Sequence, residues 1–353
     1  MKILITGICG FVGSAIARAL REHVDGIEIV GVDNLVRRGS ETNLSIIRQL
    51  KCSYVHGDIR NDEDIAELPV VDWVIDCAAN PSVLAGVTGG VRQVVAHNLT
   101  GTLNLLEKCR RDGAGFLMVS SSRVYSIERL NQIPITRAGD RFIVSEGSTL
   151  PLGMTRAGVS ESFSTEAPVS IYGATKLASE VMVLEYGATY GFPVRVNRCG
   201  VIAGPGQFGR ADQGVFSYWI YQWMQKKTLT YVGYGGDGLQ VRDLLAPSDL
   251  GRLIVAQVLD PHRPGARVLN VGGGIARSVS LRELSTFCSR CFGEHGVGAI
   301  TENRPFDIPY YVTDNALVTE TWEWCPEEPL ERTLADIATW ARAHESDLAS
   351  FAG

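Results

Sequence analysis

Tyr172 and Lys176 stand four residues apart in Ser170-Ile-Tyr-Gly-Ala-Thr-Lys-Leu-Ala-Ser-Glu180, a stretch that reads as a helix start. At that spacing both side chains project from one helix face. An ammonium one turn from a phenol favours the phenolate. That gives a base able to take a proton from an alcohol while hydride leaves the carbon. Alone, Tyr-x-x-x-Lys is common by chance and marks a solvated helix face as readily as a site. Ser120, Ser121 and Ser122 follow an apolar run at 115–119, and their hydroxyls either assist that chemistry or only cap a turn.

The choice between these readings rests on the elements that would position the residues. Lys2–Thr6 is apolar and β-branched, a buried strand by composition. It leads into Gly7, Gly10 and Gly13, spaced G-x-x-G-x-x-G, and then into a helical pattern in which Phe11 and Val12 can face a sheet. Strand, glycine turn and helix in this order make a phosphate cradle, with free N–H donors at the helix start. A second strand at 27–32 ends in Asp33, an acid placed to hold the adenosine ribose hydroxyls and repel a 2′-phosphate. NAD is therefore expected over NADP, and Arg37 and Arg38 would weaken that preference.

A third strand at 53–55 precedes Gly57-Asp58-Ile59. Asp58 either reaches the adenine amine, with Ile59 against the base, or caps a helix at 62–68. A fourth strand at 72–77 leads into Ala78-Ala79-Asn80, small enough for close backbone approach to a dinucleotide. Asn98, on a helix at 91–111, either braces the active-site loop or caps a turn. The fifth strand, 115–119, delivers the serines to the C-terminal edge of a parallel sheet, where ligands bind. Residues 126–170 are irregular and read as an insertion arching over the site. The fold expected is α/β, a Rossmann-type doubly wound parallel sheet with a smaller mixed α/β C-terminal substrate lobe. The sheet domain takes residues 1–199 with a return segment at about 237–262. The lobe takes 200–236 and 263–353, including a strand at 267–271 and helices at 281–292 and 330–348.

With 353 residues, 45% of them hydrophobic, the chain can bury a large core. A net charge of −6 with no basic run argues against nucleic acid as a partner. No stretch approaches the roughly 20 apolar residues of a membrane span. The first residues already form a core strand, leaving no room for a signal peptide, so no membrane partner and a cytoplasmic location are expected. The eight cysteines then read as reduced. Cys9, Cys52, Cys77, Cys109 and Cys199 sit in apolar segments. Cys288-x-x-Cys291 lacks a second pair at metal-ligand spacing, so no metal is expected.

TGICGFVG, GVDNL, GDI, VSSSRVYS, YGATK and Asn270-Val-Gly-Gly fall in one order along nearly the whole chain. In that order they resemble the extended short-chain dehydrogenase/reductase superfamily, the NAD-dependent nucleotide-sugar epimerases and dehydratases. DNLVRRGSETNL (33–44), GQFGRADQGVFSYW (206–219) and GYGGDGLQVRDLL (233–245) resemble the CDP-paratose (CDP-tyvelose) 2-epimerase subgroup more than the galactose epimerases. The resemblance implies resident NAD and a nucleotide-diphosphate sugar substrate. It also implies a homodimer, through a helix face of Leu177, Val181, Val183 and Leu184 that is otherwise core.

Counting back from Tyr125, the family's catalytic hydroxyl falls on Ser121, with Ser122 as the alternative and as a substrate contact. Tyr172 and Lys176 match the base and its lysine, and both also touch the cofactor. By the same likeness Gly7, Gly10, Phe11, Val12, Gly13, Asp33, Asn34, Asp58, Ile59, Ala78, Ala79 and Asn98 surround NAD. Arg198, Asp212, Gln213, Gly214, Arg242, Arg304 and Asp307 surround the substrate. Arg242 would hold the diphosphate, and Asp243 would orient it or cap the next turn. The chain departs from the family at Val201, where an asparagine is frequent, and at Ser126, where glycine is usual. Dehydratases of the superfamily carry Asp-Glu directly after the catalytic hydroxyl. Ser122-Arg123 stands there, which disfavours water elimination. A UDP-hexose or UDP-uronate 4-epimerase differs only in pocket shape and is the main rival, and a non-catalytic NAD-binding regulator is the third reading.

Overall fold

Seven short β-branched runs become the strands of one sheet in the computed structural model, which describes residues 1–84, 87, 89–210 and 213–351. In chain order they are β1 Lys2–Thr6, β2 Glu28–Asp33, β3 Ser53–His56, β4 Trp73–Asp76, β5 Gly115–Ser121, β6 Val194–Cys199 and β7 Val268–Val271. Their spatial order is β7-β6-β5-β4-β1-β2-β3, and every neighbouring pair is parallel. The central strands are covered on both faces, so Ile3, Leu4, Ile5, Val74 and Ile75 are fully buried. The order reverses between β1 and β4, which opens a crevice at the C-terminal edge.

On one face α1 (Phe11–His23) packs against Pro247–Leu259, joining Ile16, Leu20, Leu250, Leu253 and Ile254 in one core. Gly251 permits the contact, since a Cβ there would lie 2.6 Å from that of Ala19. On the other face Leu105, Leu106 and Val183, from Gly101–Asp112 and Ser170–Tyr190, close over Leu4, Val74, Phe116 and Val194.

The strand expected in the smaller lobe at 267–271 instead extends the main sheet as β7, pairing Val268 with Val196 and Val271 with Cys199. Nothing local in its sequence distinguishes the two destinations. The free edge of β6 decides. The lobe itself is built on Val241–Leu245, which pairs antiparallel with Ser278–Ser280 and parallel with Tyr310–Tyr311 and Val201–Ile202. Helices Val215–Met224, Leu281–Phe292 and Leu330–Ala343 bury Phe216, Trp219, Leu284, Leu334 and Ile337 against it. The helix expected to run to 348 breaks at His344, and a separate helix, Glu345–Phe351, follows.

The 126–170 stretch does not arch over the crevice. It forms the helix Ile127–Asn131 and a hairpin of Ile135–Ala138 with Arg141–Val144. Its Leu130, Ile133, Met154 and Phe163 are consumed in a core with Ile308, Tyr311 and Val312. None of 126–170 lines the crevice.

Arg198, expected on the substrate, is also structural. It is buried in β6, with Nη2 2.7 Å from Glu180 Oε2 and Nε 3.0 Å from the same oxygen. Ser120 donates its hydroxyl to Glu180 Oε1. Arg198 also donates to the Tyr125 hydroxyl at 3.3 Å, and Tyr125 donates to Asn270 Oδ1 at 2.6 Å. The guanidinium thus spends its donors knitting β5, β6, β7 and the 170–190 helix together. Removing one member of such a pair leaves the other charge buried and alone. Glu180→Ala is expected to lower unfolding free energy by about 3–5 kcal/mol, and Glu180→Leu with Arg198→Met to recover most of it. Chemical denaturation of both variants measures the difference. A single-variant loss below about 1 kcal/mol, the range of exposed pairs, would contradict the assignment.

Candidate active site

The phosphate cradle follows from three glycines doing different steric work. Gly7 sits at φ +61°, the left-handed region, with its N–H on Val32 O at 2.9 Å. A Cβ on Gly13 would lie 2.2 Å from Gly7 O, so the turn can fold onto the helix start only without one. Gly10 is the N-cap of α1, whose first turn carries no acid, leaving its positive end bare. Asp33 ends β2 beside it. Its carboxylate accepts from the N–H groups of Cys9 at 3.0 Å and Leu35 at 2.8 Å while facing the crevice. Burial raises its pKa, and these backbone bonds oppose the rise.

A single cavity of about 600 Å³ runs from this cradle into the lobe. Gly7, Gly10, Phe11, Val12, Gly13, Asp33, Asn34, Ile59, Ala78 and Ala79 line its near end. The bare helix start, the glycine turn and the acid at the strand end suit a dinucleotide diphosphate and its ribose.

Asp58 does not line it. Arg60, two residues on, takes both carboxylate oxygens and holds the group well below the usual carboxylate range, and Asn34 adds a bond at 2.9 Å. Nor does Asp58 cap the next helix, since Asn61 accepts from the Glu63 N–H instead. Asn98 also lies off the cavity, in a π-turn (Ala96–Thr100). Its side chain accepts from Asn80 N–H at 2.8 Å and donates to Asn80 O and Thr175 Oγ1, both at 3.1 Å. The bracing alternative is the one realised. Asn98 ties the Ala78-Ala79-Asn80 loop to the helix of Tyr172.

The reactive candidates meet at the middle. Ser121, Ser122, Tyr172 and Lys176 all line the cavity, with Tyr172 and Lys176 nearly buried in the helix Ser170–Tyr190. Ser121 Oγ accepts from the Arg123 N–H at 3.2 Å, so its own proton is left to point at a ligand oxygen. The helix rests directly on this turn because Gly173 lies between the two reactive residues. A Cβ there would meet Arg123 O at 2.2 Å. Cys77 and Cys199 also line the wall, and burial pushes both thiols up, Cys199 to about 12.

At the far end Gln213, Gly214, Arg242, Arg304 and Asp307 line the cavity, while Asp212 lies outside the described residues. Gln213 accepts from Arg37, which reaches across from the loop after β2. Arg242 donates to Ile308 O at 2.7 Å and meets Asp307 at 3.3 Å, and burial lowers its pKa to about 10. Asp243 does not orient it. Neighbours on a strand face opposite ways, and Asp243 accepts from Gly274 N–H at 3.1 Å and Thr313 N–H at 3.2 Å behind the wall. The lining residues that sequence reasoning missed include His97, beside the bracing Asn98, and Arg123. The signal for Arg123 was its place two residues after Ser121, at the sheet edge where ligands bind.

Asp33 offers a test with a definite sign. Its folded pKa is raised, so on acidification it gains a proton before an ordinary carboxylate does and loses acceptor capacity for ribose hydroxyls. NAD affinity measured by titration calorimetry is expected to fall as pH drops through that raised value. Asp33→Asn should weaken binding about tenfold or more and erase this acid limb.

A family model described as the NAD dependent epimerase/dehydratase family matches residues 3–272. The chain is 28% identical over 352 residues to the CDP-paratose 2-epimerase of Salmonella typhi, covering 96% of this chain and 99% of the relative. To the UDP-glucuronate 4-epimerase of Thermodesulfobacterium geofontis it is 27% identical over 351 residues, covering 96% and 95%. Among solved structures, the UDP-glucuronic acid 4-epimerase of Bacillus cereus in complex with UDP-glucuronic acid and NAD superposes with a TM-score of 0.74. It is 24% identical and covers 97% of this chain and 99% of that one, a likeness of fold. With three quarters of its length matched and its glycine cradle, Asp33, Ser121, Tyr172 and Lys176 on one cavity, the chain belongs to the NAD-dependent epimerase/dehydratase family of enzymes.

Proposed function

We propose that the protein inverts a hydroxyl-bearing carbon of a nucleotide-activated sugar, with 2-epimerisation between CDP-paratose and CDP-tyvelose as the leading reaction. The observation that carries the epimerase reading is the meeting of Ser121, Tyr172 and Lys176 midway between a dinucleotide cradle and an arginine-lined wall. The cytidine nucleotide and the 2-position are supported by the likeness to the Salmonella typhi relative over nearly the full length of both chains. In this reading the enzyme works in the cytoplasm. No described helix is long and apolar enough to cross a membrane.

The chain's own residues divide the work by position. Arg242, steadied by Asp307, grips the diphosphate, with Arg304 beside it. Tyr172 takes the proton of the sugar hydroxyl and later returns it. Ser121, whose proton is free, donates to the same oxygen and steadies the ketone between the two half-reactions. Lys176 lines the cavity one helical turn from Tyr172. NAD, which the glycine cradle and Asp33 would hold, would serve as both hydride acceptor and donor, so no net oxidant would be consumed. Arg123 and Ser122 offer no carboxyl pair to eliminate water from the ketone.

A homodimer belongs to this reading, through the outer faces of Gly101–Asp112 and Ser170–Tyr190. Of the four residues expected there, Val183 is fully buried, Leu177 and Leu184 pack against core clusters, and Val181 is half exposed, as Leu103 is in part. Sedimentation is expected to give a dimer that Val181→Asp shifts toward monomer, and a wild-type monomer would end that part of the reading.

Proton NMR of the purified protein with CDP-paratose, without added NAD, is expected to show a new anomeric signal growing to a fixed ratio. Tyr172→Phe should slow it by about 10²–10⁴-fold, and Ser121→Ala should cost more than Ser122→Ala. Turnover of UDP-glucuronate but not CDP-paratose would move the assignment to a 4-epimerase. Silence on every nucleotide sugar, even with NAD supplied, would leave a non-catalytic NAD-binding regulator.

A further inference from the structure

Arg123 is the cation nearest in sequence to the catalytic hydroxyl, and its surroundings are poorly compensated. Its N–H holds Ser121 Oγ at 3.2 Å, and its side chain lines the cavity. The guanidinium makes one hydrogen bond, from Nη1 to Phe306 O at 3.2 Å, and among the described residues no carboxylate forms an ion pair with it. Burial lowers its pKa, and the groups whose charge opposes this are Asp307, Tyr172 and Tyr234.

The same short turn draws in the other cations of the wall. Phe306 O receives Arg123, while Asp307 Oδ1 and Ile308 O receive Arg242 at 3.3 and 2.7 Å. Arg304 opens the turn and lines the cavity too. Three guanidiniums thus gather on 304–308 with one carboxylate among them. Cations in such excess want a polyanion, and planar guanidiniums fit phosphate oxygens.

Resting on the nucleotide-sugar reading above, we propose that Arg123 binds the sugar-linked phosphate. Its guanidinium lines the cavity with one carbonyl partner and, among the described residues, no carboxylate, so a phosphate oxygen would complete its donors.

The test compares nucleotides that differ by one phosphate. CDP, CMP, UDP and UMP are titrated into NAD-loaded wild type, Arg123→Met and Arg123→Gln. The glutamine variant keeps a donor for Phe306 O should the methionine variant fold poorly. The diphosphate-to-monophosphate affinity ratio is expected to fall about tenfold or more in both variants, with monophosphate affinity unchanged. An unchanged ratio overturns the assignment. Equal weakening of mono- and diphosphates also overturns it, because that is what a merely structural prop under Phe306 would produce. Using both bases separates the two levels of inference. Tighter uridine binding would refute the cytidine reading while the ratio still judged Arg123, and binding of none of the four would refute both.

Discussion

The site depends on one steric allowance, the missing side chain at Gly173. The helix Ser170–Tyr190 must lie against the turn after β5 for a phenol and a serine hydroxyl to face one substrate oxygen. That turn presents the Arg123 carbonyl where any Cβ at 173 would stand, 2.2 Å away. Every other feature of the helix uses the contact this glycine permits. Tyr172 and Lys176 look into the cavity, Thr175 and Ser179 hold Asn98, and Glu180 takes Ser120 and Arg198. A single helix thus sets the base, the cofactor loop and the end of the serine-bearing strand in register. A side chain at 173 would disturb all three together.

Charge is distributed along the cavity with the same economy. At the cofactor end the helix terminus carries no acid in its first turn, and the one carboxylate, Asp33, accepts from the Cys9 and Leu35 N–H groups. At the lobe end, side-chain guanidiniums gather on a turn with few counter-charges. Backbone donors cannot move or lose their polarity, which suits a cofactor that stays. Guanidiniums on long stems can adjust, which suits a substrate that must enter, turn over its face and leave. Arg37, reaching from the cofactor side to Gln213 and Phe208 O, joins the two ends across the mouth.

How much of this was legible in the sequence follows from how local each feature is. The glycine turn, Asp33 and the Tyr172–Lys176 spacing are set by neighbours in the chain, and the structure brings them together on one cavity. The strands fared likewise, except that β7 is claimed by a sheet edge formed seventy residues earlier. The residues that went elsewhere share one cause. Arg198, Asp58 and Asp243 are charged groups whose destination is decided by a partner distant in sequence or by a neighbouring competitor. Glu180, Arg60 and the N–H groups of Gly274 and Thr313 captured them. A resemblance can name the position of a charge but not the stronger partner waiting for it.

The same reasoning explains why Arg123 escaped notice although its letter was in view. Read against dehydratases, it was only the absence of an acid. Alternation along Val241–Leu245 turns Asp243 away from the cavity and leaves Arg242 to Asp307, so one carboxylate serves a wall of three arginines. Had Asp243 faced inward, the wall would be nearly neutral and Arg123 would need no ligand. Because it faces outward, the wall keeps an excess of positive charge, and that excess is what an anionic ligand would answer.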